Sequence, residues 1–370
     1  MREAGIEERQ GRTVEGAVEY GRRVYECRVC RCRRVPLDEE LGLDLGEHLT
    51  HGVVGKVAYA VAKESFAEAS ATLQRLAGLS VSPAECARVA EAEGRRADAR
   101  QREHEAQVLE AVRRDAPVSV AGWDCERAVV EADATSVLTV AGEEHKSVYA
   151  ATAFPLEARG QKDDSGRPFL ERRAYTASAV DFEDFSQRLK ALVAGCRGRR
   201  RPKEMAFIGD GAPSLWKWAQ ENLPKTTVFI QDFWHVIERL EDLVQDVWGA
   251  RDIKRLERWR QLLHDSQVAD LIDELEDERK KRRGKKRERF EEELHYPRAG
   301  AERMDYARYE REGWPIGSGA VEGTCKHLVK QRFALTGARW RRSRIPWMLA
   351  LRLELFNGAW EDPDEELIAA

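Results

Sequence analysis

The sequence predicts an α/β protein in which a mixed sheet is interrupted by a helical insertion domain, preceded by a small Cys-x-x-Cys hairpin and a helical N-terminal domain. Three stretches predict this. Met205–His235 reads as two buried strands around a Trp-rich helix, because the short apolar runs Met205–Ile208 and Thr226–Ile230 flank a helical segment. From about Arg127, the runs Ala128–Asp133, Ser136–Val140 and Ser147–Phe154 read as partners in an antiparallel meander. From Trp234 to about Arg289 the pattern is strongly helical.

A chain of 370 residues that is 42% hydrophobic can build a sizeable core and two or three domains. The expected boundaries are 1–50 for the hairpin, 51–120 for the helical domain and 121–235 for the first part of the sheet domain. The helical insertion follows at 236–312 and the rest of the sheet domain at 313–370. Charged residues make up 35% and nearly balance at −4, so overall charge neither demands nor excludes a polyanionic partner. No apolar run approaches the roughly 18 residues of a membrane span, and MREAGIEERQ has no apolar signal core, which predicts a cytoplasmic protein. Seven cysteines, three of them in Cys27-Arg-Val-Cys30-Arg-Cys32, suggest metal or free thiols rather than a disulfide framework.

The first fifteen or so residues are polar and expected to be mobile, and Val18–Cys27 alternates like a strand leading into the Cys-x-x-Cys knuckle. A structural zinc needs four ligands, so Cys27 and Cys30 belong either to a partial zinc site or to a hairpin with incidental thiols. Val53–Leu73 has long helical periodicity, and after a break Ser82-Pro-Ala-Glu starts another helix. The pair is either a DNA-binding helix-turn-helix or a structural bundle. Thr176–Val193 reads as a helix and Cys196–Lys203 as a basic linker.

Asp210, inside a Gly-Asp-Gly turn, and Asp232 each follow a strand, placing them at the carboxyl edge where open α/β sheets build their sites. Capping of the next helix is the alternative role for Asp210. Glu131 and Asp133 share one face of their strand, with Asp133 at the end of its apolar run; it is paired, metal-bound or at a solvated sheet edge. His235, three residues after Asp232, either orients a phosphate or carboxylate or is buried to fix its helix to the sheet. Glu322 lies near the start of a helix after the Gly-rich turn of Gly313–Lys326. Four basic stretches could grip phosphates or be merely solvated: Arg199, Arg200 and Arg201; Lys285 and Lys286; Lys326, Lys330 and Arg332; and Arg339, Trp340, Arg341 and Arg342. In the last, the aromatic among arginines suits an exposed base.

Strands, helix, strand, helix, strand, with carboxylates after the first and fourth strands, is the chain order of an RNase H-like sheet. Gly209-Asp-Gly-Ala212, Asp232-Phe-Trp-His235 and Gly317-Ser-Gly-Ala-Val-Glu-Gly-Thr-Cys-Lys326, with Arg339-Trp340, resemble the signature of Mutator-like DDE transposases of bacterial insertion sequences, specifically the ISKra-type group. The resemblance covers about residues 20–360. It implies an RNase H-like core that cuts and joins DNA, a triad of Asp133, Asp210 and Glu322 holding two Mg²⁺ or Mn²⁺ ions, and an accessory pair, Asp232 and His235. It also implies DNA as partner, a homodimer or larger assembly on DNA, and zinc at the cysteine knuckle. Two departures stand out: Ala134 occupies the place where the family usually has Gly, and only Cys27 and Cys30 represent the family's cysteine-rich pair of knuckles. The alternative function is a catalytically inactive, transposase-derived DNA-binding protein.

Overall fold

The computed structural model describes residues 1–40, 48–116, 125–159, 161–162, 168–170, 172–196, 202–249 and 252–358. The chain opens with β1 (Arg2–Thr13), β2 (Gly16–Glu26) and β3 (Arg33–Arg34), then α1 (Pro36–Glu40), α2 (His51–Lys63), α3 (Phe66–Ala77) and α4 (Pro83–Arg113). Next come β4 (Arg127–Val137), β5 (Lys146–Pro155), β6 (Gln161–Lys162), β7 (Pro168–Phe169), β8 (Ala174–Ser178), α5 (Phe182–Gly195), β9 (Glu204–Gly209), α6 (Pro213–Asn222) and β10 (Val228–Gln231). The helices α7 (Phe233–Trp248), α8 (Ile253–His264), α9 (Val268–Lys280), α10 (Lys285–Gly300) and α11 (Tyr306–Arg311) follow. The last elements are α12 (Gly319–Thr324), a π-helical turn Cys325–Lys330, α13 (Gln331–Phe333) and α14 (Ile345–Phe356).

Two compact units result. One comprises Met1–His104, Val137–Lys146 and His327–Ala370, the other Glu105–Ser136 and Ser147–Lys326.

The first unit begins with a long antiparallel hairpin, β1 on β2, where mobile chain was expected. Apolar burial does not hold it, since most of its residues are exposed. Its cross-strand ladder is reinforced by ion pairs: Asp38 takes Arg9 at 2.9 Å and also Arg22, while Glu7 takes Arg22 at 3.2 Å and also Arg33. The expected single helix Val53–Leu73 is two, because Ser65 and Glu68 form a reciprocal capping box that restarts the backbone after Lys63. Ser82 and Glu85 exchange the same two hydrogen bonds at the start of α4.

Two buried arginines close the far end of α2. Arg332 donates to the Val61 carbonyl at 2.8 Å, and Arg352, 1% exposed, donates to those of Ala62, His327 and Leu328. The carbonyls freed by the helix end and by the neighbouring π-turn thereby find cationic donors. Burial pushes both guanidinium pKa values down to about 10.

Within this unit α4 crosses α14 at Gly94, with Arg100 on Glu354 at 2.8 Å. A Cβ at residue 94 would lie 2.7 Å from the carbonyl carbon of Trp347, and closer still to its oxygen. The obstacle is backbone, which cannot rotate away. Gly94→Ala is therefore expected to destabilise the protein by about 1–3 kcal/mol as an overpacking change, although alanine is the better helix former. A melting temperature unchanged or raised would refute this close approach.

The second unit is built on a five-stranded mixed sheet in the order β10-β9-β4-β5-β8. β10 pairs parallel with β9, β9 parallel with β4, and β5 antiparallel with β8. Alternation along β4 sends Ala128, Val130 and Ala132 to one face, against α5 and α6. It sends Val129 to the other, where Ile208 and Ile230 meet α7–α11 around Trp259, Phe290 and Tyr306. The helices after Asp232 thus share one core with the sheet. The segment Thr176–Val193 is not a single helix: Ala174–Ser178 pairs with β5, and the helix starts only after Asp181, whose side chain accepts the Asp184 N–H at 2.8 Å. Nor does Ser136–Val140 form a separate strand; β4 runs through Val137, and Thr139 makes an isolated bridge to Trp340 within the first unit.

Candidate active site

Register in the parallel part of the sheet puts three aspartates in one row. Ala132 pairs with Gly209 and Gly209 with Gln231, so Asp133, Asp210 and Asp232 are the next residues on three adjacent strands. They continue the face of Val129, Ile208 and Ile230. Asp133 is not the last residue of its strand, as expected from its apolar run, but it is the first beyond the β9 pairing.

Asp232 is fully buried and both its oxygens are engaged. One accepts the His235 backbone N–H at 2.9 Å and lies 3.5 Å from the His235 ring Nδ1; the other accepts the Ser318 N–H at 2.5 Å and the Ser318 hydroxyl. It therefore caps α7 and ties the 317–319 turn to the sheet edge. Glu131, 1% exposed, makes the second tie, accepting the Val321 N–H at 2.8 Å. Ser318 precedes α12 but spends its hydroxyl on Asp232, so the amino end of this helix is capped from the strand by Glu131.

These two ties hold Glu322 beside the row. Ligand atoms of Asp232, His235 and Glu322 all lie within 4.8 Å of one another. Glu322 is exposed, and its carboxylate has no hydrogen bond or ion pair among the described residues. Asp133 accepts the Ala134 N–H at 2.6 Å and has the Cys325 thiol 3.7 Å from its other oxygen; Asp210 accepts the Ala212 N–H at 3.1 Å. Ala134 sits in the strand at negative φ, so no glycine is required there.

Charge is poorly compensated in this cluster. Burial, then the charge of Asp210, raises the pKa of Asp133; partial burial, then the charges of Asp232, Glu238 and Asp133, raises that of Glu322. Burial and Asp232 push Glu131 up to about 8. Burial also opposes ionisation of Asp232, but hydrogen bonds from His235 and Ser318 outweigh it and hold the carboxyl below its usual range. The same contact with Asp232, aided by the charge of Asp210, pushes His235 up to about 9.

A pH dependence follows. Folded His235 keeps its proton up to about 9 against 6.5 ordinarily, so its stabilisation is complete below pH 6.5 and is lost as pH rises through about 9. Folded Glu131 keeps a proton that the unfolded chain surrenders above 4.5, so native stability also erodes between 4.5 and about 8. The melting temperature of metal-free protein should fall from pH 6.5 to 9, with Glu131→Gln flattening the lower part of the slope and His235→Gln the upper. Equal slopes in all three proteins would refute the assignment.

Glycines shape the edge. A Cβ on Gly317 would lie 2.7 Å from Trp234 Cδ1, and one on Gly211, at φ +103°, would lie 2.5 Å from Gln231 Nε2 and 2.7 Å from the Tyr296 ring. Tyr296 in turn donates its hydroxyl to the Asp210 carbonyl. Glu131, Ser318, Tyr296 and Cys325 had no assigned role in the sequence reading. Glu131 carried the only available signal, an acidic residue inside an apolar strand.

Among the described residues, Asp232, His235 and Glu322 are the acidic and imidazole group close enough to share an ion; the expected triad Asp133, Asp210 and Glu322 does not form such a group, although all three lie along or beside the same sheet edge. The three expected ligands offer oxygen only, and burial, with a lesser contribution from neighbouring carboxylates, raises the pKa values of Asp133 and Glu322. Asp232 is already engaged by Ser318 and His235, so an ion placed there would share its oxygens with those donors.

The basic residues divide. Lys326, Lys330, Lys285, Arg339 and Arg341 are exposed. Arg342 donates its N–H to Glu143 at 2.7 Å and has Glu144 at 3.7 Å. Lys286 caps the Val247 carbonyl at the end of α7, and its neighbours Lys280, Lys281 and Arg282 pair with Asp277 and Glu278. Two of the expected DNA contacts are corrected. Arg332 is 2% exposed and caps α2, with Phe66 and Trp340 flanking its guanidinium. Trp340 is 8% exposed, its ring 4.8 Å from that of Phe333, so it packs inward instead of offering a face to a base. Arg199, Arg200 and Arg201 lie outside the described residues.

In the first unit, Cys27, Cys30 and Cys32 offer three sulfurs within 4.8 Å of one another, and backbone N–H groups of Cys30 and Val29 pull the Cys27 thiol down to about 7. No fourth ligand joins them among the described residues, where a structural zinc site takes four. No helix among the described residues is long and apolar enough to cross a membrane. No protein-family model matches this chain, and no curated protein matches it.

Proposed function

We propose that the protein is a divalent-metal-dependent DNA transposase with an RNase H-like catalytic core. The observation that carries this reading is the row Asp133–Asp210 at the carboxyl edge of adjacent parallel strands, with the turn before Glu322 tied to the same edge by Glu131 and Asp232. The sheet order supports it: the first strand is central, the next two lie on one side of it, and the fourth and fifth run parallel to it on the other, as the resemblance implies.

Asp133, Asp210 and Glu322 would hold Mg²⁺ or Mn²⁺, two ions in the family's pattern, which when bound lower the pKa of an attacking hydroxyl and stabilise the leaving oxygen. The chain's own groups do the rest. Nδ1 of His235 lies 3.5 Å from the Asp232 carboxylate, and a pKa of about 9 keeps the ring cationic at neutral pH, so that it can meet a phosphate oxygen. Lys326, exposed in the turn after Glu322, adds a second positive charge for the DNA backbone. In the first step a water oxygen attacks phosphorus and loses a proton, the P–O3′ bond breaks, and the 3′-oxygen takes up a proton. In the second, that 3′-hydroxyl attacks a target phosphodiester and displaces its 3′-oxygen.

The test is incubation of the protein with DNA carrying the ends of its element, with Mg²⁺, Mn²⁺ or EDTA, resolving nicked and joined strands. Metal-dependent nicks bearing 3′-hydroxyls, followed by joined products, are expected. Binding of those ends without cleavage under either metal would favour the inactive DNA-binding descendant.

A further inference from the structure

Beside the carboxylate row stands an aromatic that the packing covers only in part. Asp232 caps α7, Phe233 turns inward at 2% exposure, and Trp234, the next residue, is 47% exposed. Most large aromatics are buried, whereas about half of this one stays exposed, its ring meeting Phe233 edge-on at 5.3 Å between centroids. It is nonetheless held in place. Its Cδ1 edge lies so close to Gly317 that any side chain there would collide with it, and the guanidinium carbon of Arg260 sits 4.8 Å from the ring centroid. Arg260 is exposed and has no carboxylate partner among the described residues. Trp234 is followed in the chain by His235, and Gly317, against which it lies, by Ser318, the two residues that Asp232 binds.

We infer that Trp234 and Arg260 form a subsite for an unpaired nucleotide next to the reacting phosphate, the indole stacking the base and the guanidinium meeting the phosphate. The inference rests on the phosphodiester chemistry proposed above and adds a substrate feature to it: the DNA engaged is locally single-stranded, since a base inside a duplex already has both faces stacked. A rigid, exposed indole is sequence-tolerant because every base has a π-face, and a cation beside it raises local phosphate affinity. Gly317 serves this subsite by leaving room for the ring.

The experiment measures equilibrium binding, by fluorescence anisotropy in EDTA, of a labelled 12-nucleotide single strand and of the matching blunt duplex. Trp234→Ala should weaken single-strand binding about 5- to 100-fold. Trp234→Phe should retain most of the affinity, and Arg260→Ala should reduce it and flatten its salt dependence. Duplex binding should change less than twofold throughout, and unchanged melting temperatures would show that the variants are folded. Single-strand affinity within twofold of wild type in Trp234→Ala would overturn the inference, as would equal losses on single strand and duplex. Failure of the transposase reading shows separately, as absence of metal-dependent cleavage by wild type. A stacking protein that never cuts would keep the subsite and lose the activity. If Trp234→Ala loses no nucleic-acid affinity but a purified complex dissociates, the indole is a protein contact and the inference fails.

Discussion

Asp133→Asn and Asp210→Asn are each expected to lower metal-dependent strand cleavage about 100- to 1,000-fold or more, the scale on which one electrostatic contact at a reacting centre counts. Folding should be untouched. Asparagine keeps the shape of both side chains and the acceptor for the Ala134 and Ala212 N–H groups, and removes a charge from a cluster in which the charge of Asp210 raises the pKa of Asp133. The melting temperature without metal should therefore be unchanged or slightly higher. With Mg²⁺ present, wild type should gain stability that the variants lack, because a ligand that binds only the folded state stabilises it by mass action. Calorimetry with and without metal, beside the cleavage assay, separates a ligand role from a structural one. Full activity in Asp210→Asn would sink the assignment.

Asp232→Asn makes the same chemical change one strand over, and the opposite outcome is expected. Its two oxygens accept hydrogens from Ser318 and from His235. An amide turns a donor toward one of those groups and leaves His235 without its counter-charge. Breaking a buried, hydrogen-bonded charge contact costs about 3–5 kcal/mol, on the order of 10 °C for a body of this size. Thermal unfolding of the two asparagine variants under identical conditions checks it. Equal melting temperatures for Asp210→Asn and Asp232→Asn would show that Asp232 is not the fastener of the Gly317–Gly319 turn.

The contrast marks what a sequence can carry. Asp210 and Asp232 look alike in it, each closing a short apolar run, and their place at one sheet edge was legible because strand ends in parallel sheets share that edge. Their different fates depend on Ser318, 86 residues away from Asp232, and pairing at that distance leaves no local trace. Glu131 is the same case, with its partner 190 residues on. Of the β1–β2 hairpin, the second strand was legible in the alternation of Val18–Cys27, whereas β1 escaped because it is largely polar and exposed and is secured by ion pairs. Boundaries slipped where a cap, not an apolar pattern, sets the limit, as at Ser65 and Asp181. Trp340 misled because an aromatic among arginines looks the same whether it turns outward or, as here, onto Phe333.

The tie between Glu131 and the start of α12 also sets a clock. A ribosome adds about 5–20 residues per second, so the 190 residues separating Glu131 from Val321 take roughly 10–40 s to make. Throughout that interval the nascent chain has strand carboxylates but not Glu322. A polypeptide released early, by a nonsense codon or a stalled ribosome before Gly317, would lack both the third acidic group and the segment that positions it. Such a chain would keep the strand carboxylates without the turn and helix that Glu131 and Asp232 tie to the sheet edge.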